Sequence, residues 1–328
     1  MQDHDVAALG PATQCGGLLA ATLPACLAGA DARGRVAALA TLWPEGAVGH
    51  DLELRLDGQG SMLEVSQFWL PDGLAALNLA AGRDPGLSCV ADCLDWAAGP
   101  GHPHSLWLDW HLAPGQTPGQ APGAAGPALG LAPPGTPAEP GAFFAAALAL
   151  LGAGPCAPAL ARALSALPPE THLRQIEVMP PRAAPVVRLV LDTGPPAAAR
   201  ALIAFLCPRN LPALSALFAL PGFADAPRLE LDLTPEGPGA RLSLELPALS
   251  RPGPAITGAL CGLALRGVAA EDAARAMTAF VTWQRLGTAS SFGISHLKAS
   301  ATTAPDGTVT PAEIRAGIGL IALPGQLA

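Results

Sequence analysis

The chain has 328 residues, of which 50% are hydrophobic, and a formal net charge of −8 at pH 7. That balance disfavours nucleic-acid binding, which depends on a basic stripe. Its few cations stand singly in the sequence, which suits a small anionic ligand better than a polyanion. The length allows one large domain or two medium ones, and the apolar fraction is ample for a core.

The N-terminus and the apolar runs argue against secretion and against a membrane partner. Asp3 and Asp5 stand where a secretory signal carries Lys or Arg. The most apolar run, Gly141–Gly154, is too short and too interrupted to span a bilayer, which takes about 20 residues. Cys89 and Cys93 have no second pair that would complete a zinc site, so the seven cysteines are expected to be reduced thiols. We therefore expect a cytoplasmic protein.

The predicted elements repeat along the chain after an N-terminal helical extension over residues 1–30. Helices are predicted over Asp31–Trp43, Asp84–Trp96, Ala142–Leu167 with a break at Gly152–Pro155, Pro196–Leu206, Leu211–Leu220 and Ala269–Leu286. Strands are predicted over His50–Asp57, Ser61–Phe68, Ser105–Leu112, Pro127–Leu131, His172–Met179, Pro185–Leu191, Arg228–Leu233, Ala240–Leu246, Phe292–Ala301 and Glu313–Ala322. Residues 113–140 read as a Pro/Gly-rich loop. The result is a single domain over residues 1–328, with ten strands in five repeated units.

Alternation along the strands predicts how they are arranged. Leu229, Leu231 and Leu233 alternate with Glu230 and Asp232, so one face needs an apolar cover and the other stays polar. A closed antiparallel barrel, with helices outside and a polar lumen, meets both needs without exposed edges. Eight strands just fill with side chains, whereas ten leave a cavity. We expect an α+β fold with a closed ten-stranded barrel; an open sheet or two smaller sheets are the alternatives.

The last predicted hairpin carries the only lysine of the chain. Strict alternation puts Lys298 on one face with Ile294 and His296. On the next strand, Arg315 shares a face with Gly317, opposite an apolar face. Each strand therefore has an apolar face and a face that bears a cation.

Several short motifs carry a resemblance that covers roughly residues 50–323. They are Leu106-Trp-Leu-Asp-Trp110, Arg188-Leu-Val-Leu191, Leu229-Glu-Leu-Asp-Leu233, Arg241-Leu-Ser-Leu-Glu245, Ser295-His-Leu-Lys298 and Ile314-Arg315. With the repeated α-β-β-α units, they resemble the ABBA-type prenyltransferase barrels, and distantly the cyanobactin-like bacterial peptide prenyltransferases and related uncharacterised bacterial proteins.

The resemblance implies transfer of an isoprenyl group from a prenyl diphosphate to a peptide or aromatic acceptor in the lumen. A peptide acceptor would make the reaction a modification of a ribosomally made peptide. In that family, cations on lumen-facing strand positions hold the diphosphate; the matching residues here are Arg55, Arg188, Lys298 and Arg315. A carboxylate on an early strand orients or deprotonates the acceptor, and Glu53 or Glu64 matches it.

Other polar and aromatic residues are expected to support the lumen. They are Asp109, Glu230, Asp232, Arg241, Glu245, His296 and Trp107. The family often shields the allylic cation with lumen tyrosines, and this chain has no tyrosine. Trp107, Phe68 and Trp69 would supply the shield instead, because an aromatic face attracts a cation.

Structural roles compete with several of these assignments. Lys298 and Arg315 could simply pair with lumen carboxylates, because buried charges must be paired. His102, His104 and His111 with Asp109 resemble metal ligands, yet loop histidines beside a strand are usually incidental, and no metal site is expected.

No Asp-Asp-x-x-Asp motif occurs, which leaves Mg²⁺ open only as a companion of the prenyl diphosphate. Two other functions stay open. One is a non-catalytic barrel of the same fold that binds a peptide or lipid, and the other is a two-domain α+β interaction protein.

Overall fold

The computed structural model describes residues 12–23, 25–41, 46–57, 63–81, 87–99, 105–112, 127–133, 140–179, 185–248, 251–286 and 290–322. The helices are α1 (Ala12–Thr22), α2 (Ala30–Ala40), α3 (Pro71–Ala81), α4 (Ala91–Ala97), α5 (Pro140–Leu150), α6 (Ala157–Ser165), α7 (Pro196–Leu206), α8 (Leu211–Phe218), α9 (Gly253–Leu265) and α10 (Glu271–Thr278). The strands are β1 (Gly49–Arg55), β2 (Leu63–Trp69), β3 (Ser105–Leu112), β4 (Ala128–Ala132), β5 (His172–Val178), β6 (Val187–Asp192), β7 (Arg228–Thr234), β8 (Gly237–Pro247), β9 (Gln284–Leu286), β10 (Ser290–Thr302) and β11 (Glu313–Ala322).

The strands close into an antiparallel barrel. β1 to β8 pair in chain order, β8 pairs with β10, β10 with β11, and β11 returns to β1. The short β9 pairs with the first residues of β10 and lies outside this ring of ten. The predicted closed ten-stranded barrel is confirmed, and the open-sheet alternatives are wrong.

The outer face of the barrel is covered by helices. Leucines at alternate positions, such as Leu229, Leu231 and Leu244, are 0% exposed and belong to one continuous core with the buried faces of the helices. Burying one such side chain contributes about 1.5–3 kcal/mol. Within the described ranges, no helix has the length and apolarity needed to cross a bilayer.

Two helices were not predicted, and a third ends early. α3 and α9 lie in segments for which no helix was predicted, although each has a proline in its first turn, a position to which proline is well suited. The helix predicted over Ala269–Leu286 ends at Thr278, and Gln284–Leu286 is a strand instead. Part of the predicted helix Asp84–Trp96 and most of the loop over residues 113–140 lie outside the described residues, and β4 interrupts that loop.

A bulge in β10 changes which residues face the lumen. Ile294 lies opposite Ile318, whereas His296 lies opposite Gly317, so Ser295 is one residue in excess. Ile294 is consequently buried in the outer core, while Ser295 and His296 both line the lumen. The prediction that Ile294 shares a face with His296 is wrong.

Candidate active site

The barrel encloses a cavity of 420 Å³, within the range of about 300–1,000 Å³ usual for small-molecule sites. One end is partly apolar, with the rings of Phe68 and Trp107 tilted at 33° and their centroids 4.7 Å apart. Charged side chains fill the deeper lumen. Arg174, at the apolar end, has a side chain that is 43% exposed, so this end opens to solvent.

Lys298 lies between two carboxylates. Its Nζ donates to Glu53 Oε2 at 2.8 Å and to Glu230 Oε1 at 3.0 Å. Burial alone lowers the pKa of Lys298, but Glu230 and Glu53 outweigh it and raise this pKa well above its ordinary value. The lysine therefore stays charged inside the barrel.

Glu53 joins three cationic side chains. Besides Lys298, it accepts hydrogen bonds from His296 Nε2 at 3.0 Å and from Arg315 Nη1 at 3.0 Å. Burial raises the pKa of Glu53, yet Lys298, His296 and Arg315 together lower it well below the ordinary value. An ionised carboxylate thus lies at the cavity wall beneath the aromatic end.

His296 connects Glu53 to a second acid. Its Nδ1 lies 3.0 Å from Ser295 Oγ and 3.5 Å from an oxygen of Asp51, and Ser295 Oγ donates to Asp51 at 2.6 Å. Burial lowers the pKa of His296, but Glu245, Asp51 and Glu53 raise it well above its ordinary value. The imidazole is accordingly a cation with both nitrogens donating.

Glycines on the lumen side of β10 and β11 make room for two rings. A Cβ on Gly317 would lie 2.4 Å from the His296 ring, so the histidine packs directly on the backbone. A Cβ on Gly293 or Gly319 would meet the ring of Trp283 at 2.9 and 3.2 Å. Trp283 Nε1 donates to Ile294 O at 2.9 Å, which fixes the indole over these strands.

Arg188 is the second deep cation that lines the cavity. It donates to Glu177 at 3.1 Å and to Asp232 at 2.9 Å, with Glu230 at 3.8 Å. Burial lowers the pKa of Arg188, but these carboxylates raise it well above its ordinary value. Burial raises the pKa of Glu177, because the low-dielectric site disfavours its charge.

The structure brings most of the predicted site residues together around the cavity. Those that line it are Glu53, Glu64, Trp107, Asp109, Arg188, Glu230, Glu245, His296 and Lys298. Four others lie just outside the lining. Arg315 contacts Glu53, Glu64 and Glu313; Arg55 contacts Asp57 and lies 3.4 Å from Glu313; Asp232 contacts Arg188; and Arg241 donates to Ser300 Oγ at 3.0 Å.

The predictions for Trp69 and for the histidines that resemble metal ligands are not confirmed in the same way. Trp69 faces outward and is 0% exposed in the outer core, so its assignment to the lumen shield is wrong. His102 and His104 lie outside the described residues. Among the residues that the structure does describe, no group of three His, Cys, Asp or Glu is arranged to hold a metal ion.

Sequence reasoning missed several lining residues. Glu177 and Arg228 alternate with buried apolar neighbours, so the period-two pattern could have found both. Arg228 donates to Asp192 at 3.0 Å and also contacts Glu245. Ser295 and Arg174 are the extra residues of bulges in β10 and β5, where alternation gives the wrong face.

No protein-family model matches the chain, and no curated protein does either. Solved structures are similar over nearly the whole chain. The 6-dimethylallyltryptophan synthase from Micromonospora olivasterospora, in complex with DMASPP and Trp, is 16% identical with a TM-score of 0.56 over 95% of both chains. The 5-dimethylallyltryptophan synthase from Streptomyces coelicolor is 17% identical with a TM-score of 0.56, over 94% of this chain and 96% of the other.

The prenyltransferase PriB, in a ternary complex with L-tryptophan and dimethylallyl thiolodiphosphate, is 16% identical with a TM-score of 0.58 over 97% of this chain and 99% of the other. At such identities the likeness concerns the fold. The chain therefore has the barrel fold of the ABBA-type prenyltransferases.

Proposed function

We propose that the chain transfers an isoprenyl group from a prenyl diphosphate to an aromatic acceptor inside the lumen. One observation carries this proposal: a cavity with an aromatic wall has fixed cations and an ionised carboxylate deeper in the same lumen. The fold supports it, because structures of similar fold were solved with tryptophan and dimethylallyl diphosphate analogues.

The cations would stabilise the leaving group. When the allylic C–O bond breaks, its electron pair leaves with the diphosphate, and preorganised cations in a dry site favour that charge by several kcal/mol. Lys298 and Arg188 line the cavity. Arg315 and Arg55 lie just outside the lining, where Arg315 contacts Glu53 and Arg55 contacts Asp57. Because each already contacts carboxylates, the diphosphate would replace some of those contacts.

A carboxylate would take up the proton. The allylic cation forms a bond to a ring carbon of the acceptor, and the proton on that carbon then passes to the enzyme. Glu53 suits this step because its carboxylate is ionised at the cavity wall, and a protonated arene is acidic enough for a weak base. Glu64 also lines the cavity and, like Glu53, is paired with Arg315, so it is the alternative acceptor of the proton.

Aromatic faces would shield the allylic cation without tyrosine. Phe68 and Trp107 lie side by side at the cavity wall, and a ring face attracts a cation by about 0.5–2 kcal/mol. A peptide that presents an aromatic side chain is the bulkier acceptor within the same proposal. The full pairing of the deep cations favours a second candidate, a barrel of this fold that binds a ligand without chemistry.

Mass spectrometry tests the proposal. The protein is incubated with dimethylallyl or geranyl diphosphate and with tryptophan, tryptamine or a tryptophan-containing peptide, and we expect an acceptor that gains one isoprenyl unit. Glu53→Gln should lower turnover at least about 100-fold, whereas Arg275→Gln on the exposed face of α10 should leave it unchanged. Absence of product with every pair, together with no binding of either diphosphate by calorimetry, would favour the non-catalytic barrel.

A further inference from the structure

We infer that the lumen selects an acceptor with a net positive charge, an aromatic amine without a carboxylate. This inference rests on the proposed function in one respect, namely that the molecule bound in the cavity is the acceptor of the prenyl group. It concerns the net charge of that molecule, so binding measured without a prenyl donor tests it separately from catalysis.

The lining carries more acids than bases. Its carboxylates are Asp51, Glu53, Glu64, Asp109, Glu177, Glu230 and Glu245. Its arginines and lysine are Arg174, Arg188, Arg228 and Lys298, and His296 adds one cation. Burial raises the pKa of Glu177, and Arg315 offsets part of the charge of Glu53 and Glu64 from just outside the lining. Three further carboxylates, Asp192, Asp232 and Glu313, pair with the arginines from outside the lining and outweigh both effects. The cavity wall therefore keeps a net negative charge, and weak screening inside the barrel strengthens its attraction for a cation.

The deep bases are already paired. Lys298 contacts two carboxylates within 3.0 Å, and Arg188 contacts two within 3.1 Å. Arg228 contacts Asp192 and Glu245. Arg174 is more loosely held, 3.8 Å from Asp192, but its side chain is 43% exposed. In the proposed function, the contacts that these cations can exchange go to the diphosphate. An anionic group on the acceptor would therefore meet carboxylates in the deep lumen and screened charge at the solvent end.

One buried acid has spare capacity. Glu230 is 4% exposed and lines the cavity, and its Oε2 lacks a hydrogen-bond partner within the described part of the chain. Arg188 Nε lies 3.8 Å from that oxygen, beyond hydrogen-bond range, whereas the other oxygen binds Lys298. A buried carboxylate oxygen without a donor is unfavourable, so an ammonium that donates to it gains affinity.

The aromatic wall fits the remainder of such a molecule. Phe68 and Trp107 offer ring faces to a flat aromatic body, and the same faces attract a cation that passes them. The cavity of 420 Å³ has room for a small two-ring compound. Aromatic rings at one end of the cavity and an excess of carboxylates deeper in the lumen fit an arylalkylamine better than a zwitterionic amino acid.

Calorimetry with three indole compounds tests which net charge on the ligand the cavity prefers. Tryptamine, tryptophan and indole-3-propionate share a ring system and differ in net charge at pH 7, and each is titrated into the protein without a prenyl donor. We expect tryptamine to bind at least about tenfold more tightly than tryptophan, with indole-3-propionate weakest. Equal affinities, the reverse order, or no binding of tryptamine would overturn the inference.

Charge-neutral variants locate the site. Glu230→Gln keeps the shape of the side chain and should weaken tryptamine binding about tenfold while tryptophan binding changes less. Glu236→Gln, which alters a carboxylate outside the lumen, is the matched control. If Glu230→Gln does not fold, Asp51→Asn applies the same test to a second lining acid whose Oδ1 is buried without a hydrogen bond among the described residues. Unchanged tryptamine binding in the folded variant would contradict the inference.

The binding and product measurements together test catalysis and charge selection separately. If tryptamine binds but none of the acceptors is ever prenylated, the proposed enzyme is contradicted and the inference stands. Prenylation of tryptophan with a poorly bound tryptamine would do the opposite.

Discussion

The two faces of the same strands follow different physical rules. On β7, Leu229 and Leu231 point to the helices and are 0% exposed, while Glu230 and Asp232 point to the lumen and contact Lys298 and Arg188. Apolar burial has no direction, so many arrangements of leucines would satisfy the outer face. A buried charge needs a particular partner at hydrogen-bond distance. The outer face therefore specifies the fold, whereas the inner face specifies the site.

The inner face contributes little net stability. A buried ion pair gains roughly as much from attraction as it loses in desolvation, and apolar replacements of equal volume are often neutral or stabilising. The deep network of Lys298, Glu53 and Glu230 is thus hard to explain by stability alone. A role in binding, as proposed above, accounts for its presence in the lumen.

Removing the lysine should have the largest effect. Lys298→Met leaves Glu53 and Glu230 buried without their shared cation, which lowers the free energy of unfolding by about 3–5 kcal/mol. Chemical denaturation measures the loss. Adding Glu230→Gln should restore part of it, because one of the two stranded charges is then removed. A double variant as unstable as the sum of the single ones would show that the two faces do not differ as described.

The neighbouring residue on β10 provides the outer-face counterpart. Leu297 is 0% exposed in the helical core, so Leu297→Ala should lower the free energy of unfolding by about 3 kcal/mol through lost burial and a cavity. Because the side chain points away from the lumen, tryptamine binding to the folded variant should not change. A loss of affinity as large as that in Glu230→Gln would mean that the outer face also shapes the site.

The difference between the faces explains how much the sequence could predict. Period-two leucines were enough for the barrel, and the bounds of Ser105–Leu112 and Glu313–Ala322 are confirmed at both ends. The residue types facing the lumen were mostly predicted as well. The pairings were not, because Glu53 and Arg315 are 262 positions apart and meet only when the barrel closes. The bulge at Ser295 is likewise invisible to strict alternation.

A buried histidine on β1 gives a pH-dependent comparison. His50 is 3% exposed, and burial lowers its pKa from 6.5 to about 4. The folded protein keeps it neutral while the unfolded chain binds a proton below about pH 6.5, so stability is lost as pH falls from 6.5 to 4, by about 2.5 kcal/mol.

Urea unfolding at several pH values in this window, for the wild type and for His50→Gln, isolates the contribution of the histidine. The variant should show the shallower decline. The lumen carboxylate Glu53, whose pKa is lowered, contributes stability that is lost only below about pH 4.5, outside most of this window. Parallel declines in the two proteins would indicate that His50 is already protonated in the folded state.

An ion pair outside the barrel should have the smallest effect. Arg275 and Glu271 on α10 lie 4.0 Å apart with side chains 73% and 84% exposed, so Arg275→Ala should change the free energy of unfolding by less than about 0.5 kcal/mol. Chemical denaturation at low and high salt checks this, and a loss near that of Lys298→Met would contradict it. A basic and an acidic side chain that pair in water are thus expected to contribute almost nothing to stability, whereas the loss of one partner inside the barrel is expected to be costly. Burial by the closed sheet, and not the number of ion pairs, accounts for the specificity of the lumen.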